Sequence, residues 1–177
     1  MSLPGTRAQP STDVVMRAIG IAKSYGATQA LKGVDFEIRR GTVTVLFGEN
    51  GAGKSTLMKI LSGVEAPTSG VLELDGEEVV LRNTVDASER GIAIIHQELS
   101  LCPNLSVRDN IFMGRELVRG GIVVNERQET AETLALLERL EEALNPKTLV
   151  ANLRLGQQQV VEIARALAGE ARVLIMD

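Results

Sequence analysis

The stretch GENGAGKST, Gly48 to Thr56, reads G-x-x-x-x-G-K-[ST] with one further hydroxyl residue behind it. Each residue type in it has a chemical use. Gly48, Gly51 and Gly53 let the backbone curl, so that successive N–H groups can face phosphate oxygens, with Glu49, Asn50 and Ala52 completing the curl. Lys54 brings a point charge suited to β- and γ-phosphates, and the Ser55 hydroxyl can ligate Mg²⁺. A helix opening here adds the partial positive charge of its N-terminus. The chemistry is that of a nucleoside triphosphate bound with Mg²⁺. The motif alone does not separate a small-molecule kinase, a GTPase, a helicase and a transporter ATPase. An Asn/Thr-Lys-x-Asp guanine-reading pattern does not occur, which counts against the GTPase.

Other groups with possible chemistry lie on either side. Tyr25, in IAKSYGATQALKGVDFEI, suits either stacking on a base or a place at the edge of a core. Gln97, in AIIHQELSL, follows an apolar run, where a glutamine can orient a water or reach a metal. NLRLGQQQVVEIARALA puts a glycine and three glutamines before an amphipathic helix. With no carboxylate nearby to fill its free N–H donors, that helix start suits an anion, or is a polar cap. RVLIMD, Arg172 to Asp177, runs four apolar residues into one acid. His96 reads as a packing residue beside Gln97, and Cys102 as a small buried apolar side chain.

The elements that must position these groups follow from periodicity. From Val14 the pattern is β-like. GVDFEIRR puts Val34, Phe36 and Ile38 on one face and Asp35, Glu37 and Arg39 on the other, a half-buried antiparallel strand. TVTVLF, Thr42 to Phe47, is apolar enough for a strand buried on both faces ahead of the loop, and STLMKILSGV behind it reads as helix. Asp75-Gly76 between two strand-like runs predicts a hairpin. GIAIIHQ is a short buried strand. From Ser106 to Leu144 strand signals fade, and Leu134, Leu137, Leu140 and Leu144 recur at helical spacing before Asn145-Pro146. In the glutamine-rich helix Val160, Ile163, Ala164 and Leu167 share a face, with Gly169 as C-cap, and RVLIM returns to strand. Strands alternating with helices predict an α/β protein with a parallel core.

Composition narrows the classes. Lys plus Arg is 19 against 23 for Asp plus Glu, a net charge of −4, which argues against a nucleic-acid binder, as does an aromatic content of 2%. One cysteine forms no internal disulfide, which points to an intracellular chain. No apolar run approaches the ~20 residues that span a bilayer. A membrane would be met through a partner.

Taken together, these stretches resemble the ATP-binding-cassette (ABC) ATPases, over essentially everything after residue 13. In that family an aromatic near the N-terminus stacks on adenine, which Tyr25 matches. The phosphate loop matches at Gly48 to Thr56 and the glutamine loop at Gln97. The family signature Leu-Ser-Gly-Gly-Gln corresponds to Leu153, Arg154, Leu155, Gly156 and Gln157, with arginine in place of its serine. Val173 to Asp177 matches the second acidic motif. GENGAGKSTLMKILSGV, IHQELSLCPNLSVRDNIFMGRE and GQQQVVEIARALA are similar to the first cassette of sugar-importer ATPases of the ribose, xylose and galactose group.

The resemblance implies a P-loop NTPase core with an antiparallel β subdomain and a helical subdomain insert. The β and phosphate-loop core would span about 14–98 and 170–177 and the insert about 99–169; residues 1–13, without the apolar core or cleavage pattern of a signal peptide, read by composition as a disordered tail. It implies ATP and Mg²⁺ as cofactors, with Lys54, Gln97 and Asp177 as catalytic residues and Ser55, Gln97 and Asp177 at the metal. The partners it implies are a second cassette, a transmembrane permease and, indirectly, a soluble sugar-binding protein, at the cytoplasmic face of the membrane. In the family a catalytic glutamate follows the acid at Asp177 and a switch histidine comes later. The expectation is therefore a C-terminally incomplete cassette that does not hydrolyse ATP by itself. The alternatives are a cassette ATPase for another substrate class and a nucleotide-binding regulatory module without hydrolysis.

Overall fold

A computed structural model of the chain describes residues 13–49, 51–96 and 98–176. The chain divides after Glu89 into two compact units.

The first unit begins with β1 (Val14–Tyr25) and β2 (Thr28–Arg39), paired antiparallel across the turn at Gly26. Helix α1 (Lys54–Leu61) follows, then β3 (Ser69–Leu74), β4 (Glu77–Val79) and the short helix α2 (Thr84–Glu89). The four strands form one antiparallel sheet in the order β2-β1-β3-β4. As the alternation requires, Val34, Phe36 and Ile38 are half-buried while Asp35, Glu37 and Arg39 are exposed. Asp75 and Gly76 both take positive φ, the geometry of a two-residue hairpin between β3 and β4. Met16, Ala18 and Ile21 from β1, Leu31 from β2, Leu72 and Leu74 from β3, and Leu57, Ile60 and Leu61 from α1 are buried.

Helix α1 ends in a Schellman motif. The Gly63 N–H donates to the Ile60 carbonyl at 3.2 Å and the Val64 N–H to that of Lys59 at 2.9 Å. Gly63 sits at φ +74°, and a Cβ there would lie 2.7 Å from the Asn83 carbonyl oxygen. Only glycine fits.

The second unit holds β5 (Ile92–Ile95), α3 (Val107–Phe112), the two-residue strands β6 (Val118–Arg119) and β7 (Val123–Val124), α4 (Glu126–Arg139), α5 (Leu155–Ala168) and β8 (Val173–Met176). Strands β5 and β8 pair in parallel, Ile92 opposite Val173 through Ile95 opposite Met176. A helical core gathers Val107, Ile111 and Phe112 from α3, Leu137 from α4, Val161 and Ala164 from α5, and Leu144. Asn110 is fully buried there. It accepts from the Cys102 N–H at 2.7 Å and donates to the Cys102 and Ser106 carbonyls, so the coil after the glutamine stretch is fastened to α3. Cys102 is half-buried.

Four sequence expectations are corrected. Thr42–Phe47 joins no sheet among the described residues, and Val43, Val45 and Phe47 are 93%, 78% and 96% exposed. An apolar run becomes a buried strand only where it finds a ladder to join, and among the described residues the four-stranded sheet pairs its strands without this run. Helix α4 stops at Arg139, because Glu141 turns left-handed at φ +54°. Its N–H donates to the Glu138 carbonyl and that of Glu142 to Leu137, so Leu144 reaches the core from beyond the helix and Leu134 is exposed. On α5 the fully buried residues are Val161, Glu162 and Ala164, of which Ala164 lies on the predicted face, while Val160, Ile163 and Leu167 are half-buried, Val160 against the helical core, and Gly169 is the C-cap. The hairpin β6–β7 was not predicted; its ladders join only Val118 with Val124 and Arg119 with Val123. The tail expected over residues 1–13 falls outside the described residues apart from Asp13, whose carbonyl accepts the Arg40 N–H.

Replacing Gly63 by alanine is expected to lower stability by about 1–2 kcal/mol from the left-handed backbone alone, and further from the Asn83 contact. The measurement is the urea midpoint. An unchanged midpoint would refute the backbone argument.

Candidate functional site

The phosphate loop is shaped from both ends. Gly51 and Gly53 take φ of +87° and +83°, and the Ala52 N–H donates to the Glu49 carbonyl at 3.1 Å. A Cβ on Gly53 would lie 2.6 Å from the Leu31 side chain and 2.7 Å from the Ala30 carbonyl oxygen, so β2 presses on the loop where α1 begins. The N-cap of α1 is Gly53 itself, without a side-chain cap and without an acid in the first turn. Its free N–H groups and dipole therefore stay available to an anion. Lys54 folds back over the loop, and its ammonium donates to the Gly48 and Glu49 carbonyls, both at 2.7 Å. An ammonium has three donors, and two are used in this way. Ser55 is exposed on the first turn of α1 and Thr56 is half-buried. Asn50 lies outside the described residues.

Tyr25 ends β1 and is 46% exposed. Its hydroxyl donates to the Glu65 carboxylate, and Lys23 Nζ stands 5.2 Å from its ring centroid. Lys23 and Lys59 approach Glu65 at 3.5 and 3.7 Å. The hydrogen bond to Glu65 pushes the Tyr25 hydroxyl above its ordinary value, with the Thr56 hydroxyl opposing. Conversely, the Tyr25 hydroxyl holds Glu65 below the usual carboxylate range, with Lys23 and Lys59 helping and desolvation opposing. Sequence reasoning found Tyr25 and missed Lys23 and Glu65. The partners come from β1 and from the coil after α1, and no local periodicity links them.

In the second unit, Leu153 to Gln157 lead into α5. Arg154 is its N-cap residue, exposed, in extended backbone. Its N–H donates to Gln157 Oε1 at 3.2 Å, which is one half of a capping box. A guanidinium has no acceptor, so the other half is missing and the first-turn N–H groups have no side-chain cap. Gln157 also donates to Glu142, and Gln158 to the carbonyls of Val150 and Leu153. Leu155 and Gly156 are exposed. Farther along α5, the buried Glu162 accepts from the Ser100 N–H at 2.5 Å and Arg165 donates to the Ser100 carbonyl at 3.3 Å. The coil just beyond Gln97 is thereby tied to α5. Gln97 and Asp177 themselves lie outside the described residues.

For a metal, no group of three or more His, Cys, Asp or Glu side chains gathers among the described residues. Among the side-chain oxygens they offer at the loop is the Ser55 hydroxyl, exposed on the first turn of α1. This fits a Mg²⁺ that arrives on its phosphates and keeps most of its water, since Mg²⁺ is seldom caged by protein alone.

Comparison with known proteins places the chain in a family. The family model described as ABC transporter matches residues 31–177. Over 167 residues the chain is 52% identical to the ribose import ATP-binding protein RbsA of Rhodopirellula baltica, covering 94% of this chain and 33% of that one. It is 46% identical over 174 residues to a putative ribose/galactose/methyl galactoside import ATP-binding protein of Burkholderia cenocepacia, again 33% of that protein. The chain thus spans about a third of the length of these curated relatives. Among solved structures, cbiO1 from Clostridium perfringens, part of the ABC transporter complex cbiONQ, superposes with a TM-score of 0.78 at 28% identity, over 93% of this chain and 65% of that one.

Two outcomes are expected. Arg154→Ser supplies the missing cap acceptor and raises stability by about 1 kcal/mol, read from denaturant unfolding; a loss of stability would contradict the uncapped helix. The second concerns pH. The folded value of Glu65 lies below its unfolded one, so its link is fully present above the ordinary glutamate range and is lost as pH falls through the lowered value. Tyr25 is the sole tyrosine and there is no tryptophan, so intrinsic emission reports on it alone. A carboxylate acceptor quenches tyrosine emission, which should therefore rise in the folded chain as pH falls below the ordinary glutamate range and through that lowered value. Flat emission through that range would contradict the contact.

Proposed function

The chain belongs to the ABC transporter family, and we propose that it is the nucleotide-binding part of an ATPase that couples ATP binding and hydrolysis to carbohydrate uptake across a membrane. The observation that carries the nucleotide reading is the loop from Gly48 to Thr56, where a lysine is folded onto the loop carbonyls at the mouth of an uncapped helix. The names of the relatives, ribose and galactose import ATP-binding proteins, support the substrate class.

In this reading MgATP lies with adenine on Tyr25 and its triphosphate on Gly48–Thr56. Mg²⁺ is held by Ser55, Gln97 and, through water, Asp177. Lys54, Gln97 and Asp177 serve the transfer of the γ-phosphoryl group to water, which asks for positioning and charge neutralisation rather than covalent chemistry. Residues 14–98 and 170–177 form the β and phosphate-loop core and 99–169 the helical insert. A second cassette closes over the nucleotide, each site capped by the other's signature at Leu153–Gln157. Arg154, larger than the family's serine and cationic, weakens the site that this signature completes. A membrane permease touches the insert near Gln97 to Arg115, at the cytoplasmic face of the membrane. A soluble sugar-binding protein acts through that permease, and nucleic acid has no part. The ties from Ser100 to Glu162 and Arg165 support coupling, because a movement of the glutamine stretch would be carried by the signature helix.

The test reconstitutes the whole protein containing this chain with its permease in vesicles and measures ATP-driven uptake of ribose and galactose. Lys54→Ala should abolish uptake and weaken MgATP binding by about tenfold or more. Turnover indifferent to permease and sugar would assign the chain to another class.

A further inference from the structure

We propose that Glu65 is a positioning residue for nucleotide binding, holding Tyr25 as a pre-oriented platform and tying that platform to the helix that carries the phosphate loop. The inference rests on the reading of Tyr25 as the adenine platform, and it adds residues that no motif contains.

Its basis is a closed chain of contacts within the first unit. Helix α1 opens at the phosphate loop and closes in the Schellman turn at Gly63. The same turn brings the Glu65 N–H to the Lys59 carbonyl at 3.2 Å, so the position of Glu65 is set by the end of α1. From there its carboxylate accepts the Tyr25 hydroxyl. The residues that follow are fastened to the same end of β1. Lys23 Nζ donates to the Ala66 carbonyl at 2.7 Å, the Ser24 N–H to the Thr68 hydroxyl at 3.1 Å, and the Thr68 N–H to the Ala22 carbonyl at 2.8 Å. The Glu65 side chain is only 23% exposed and that of Lys23 17%, although both are charged.

A half-exposed aromatic ring on a strand end would ordinarily be free to turn about χ1 and χ2. Here three features restrict it: the hydroxyl is anchored, a cation stands over the ring, and the anchor is braced by Lys23 and Lys59. A ligand that stacks on a ring already fixed does not have to order it, which favours binding. The anchor acts only on the part of the ligand that touches the ring. The triphosphate, held by the loop, should not sense it.

That asymmetry sets the experiment. Affinities for MgATP and for magnesium tripolyphosphate, which has no base, are measured on the chain and its variants by calorimetry. The unsubstituted chain should favour MgATP, and Tyr25→Ala should remove the preference. Glu65→Ala and Tyr25→Phe, which keeps the ring and deletes the anchored hydroxyl, should each weaken MgATP by about three- to tenfold and leave tripolyphosphate within about twofold. The double variant should lose no more than either alone. Equal loss for both ligands would make Glu65 a structural residue and overturn the proposal, as would Tyr25→Phe binding MgATP as tightly as the unsubstituted chain. If Tyr25→Ala leaves MgATP affinity unchanged, the adenine-platform reading falls and the proposal with it. Retained tripolyphosphate binding shows that a variant has folded around its loop.

Discussion

Two left-handed glycines bracket α1, and most of the first unit's chemistry hangs from that restriction. Gly53 has no room for a Cβ because β2 lies against it, and Gly63 has none because the Asn83 carbonyl does. The helix can therefore neither start earlier nor run on. Its start decides that Lys54 falls across the loop carbonyls and that Ser55 and Thr56 stand on the first turn. Its end decides where Glu65 emerges. An eight-residue helix is too short to hold itself in water. Its buried residues Leu57, Ile60 and Leu61 fix it to the unit's core, which in turn fixes both of its ends.

Helix α5 of the second unit repeats one part of this design by other means. Its first turn also lacks a side-chain cap, here because arginine stands at the N-cap instead of a residue that can accept. Its start is held from behind by Gln157 and Gln158, through Glu142 and the carbonyls of Val150 and Leu153. A helix opening whose N–H groups have no side-chain partner leaves them to water or to an anion, and the helix dipole favours the anion. Two such openings in one short chain suit a protein that handles phosphates.

Much of this was legible beforehand, and the misses share a cause. The alternation from Val34 to Arg39, the Asp75-Gly76 turn and the loop motif carry their structure in local spacing, and each appears where spacing put it. Thr42–Phe47 failed because apolar character reports readiness for burial and says nothing of whether ladders are on offer. Helix α4 failed at its end because a glutamate took the left-handed position that glycine usually fills, so no residue type announced the stop. On α5 the burial of Glu162 went unseen because the partner of its carboxylate, the Ser100 amide, lies far away in sequence. The same holds at the candidate site. Tyr25 was visible as an aromatic in a telling place, but Glu65 becomes visible only when the chain has turned through α1.

The exposed run TVTVLF has a material consequence. It is six residues long, β-branched or apolar throughout, and free of proline and charge. Such a segment, with Val43, Val45 and Phe47 turned to water, is a template for strand addition between molecules. Colloidal behaviour of the chain, rather than its folding free energy, would then set the concentration at which it can be handled. Any neighbour that lends this run a ladder would act on solubility first and on nucleotide chemistry second.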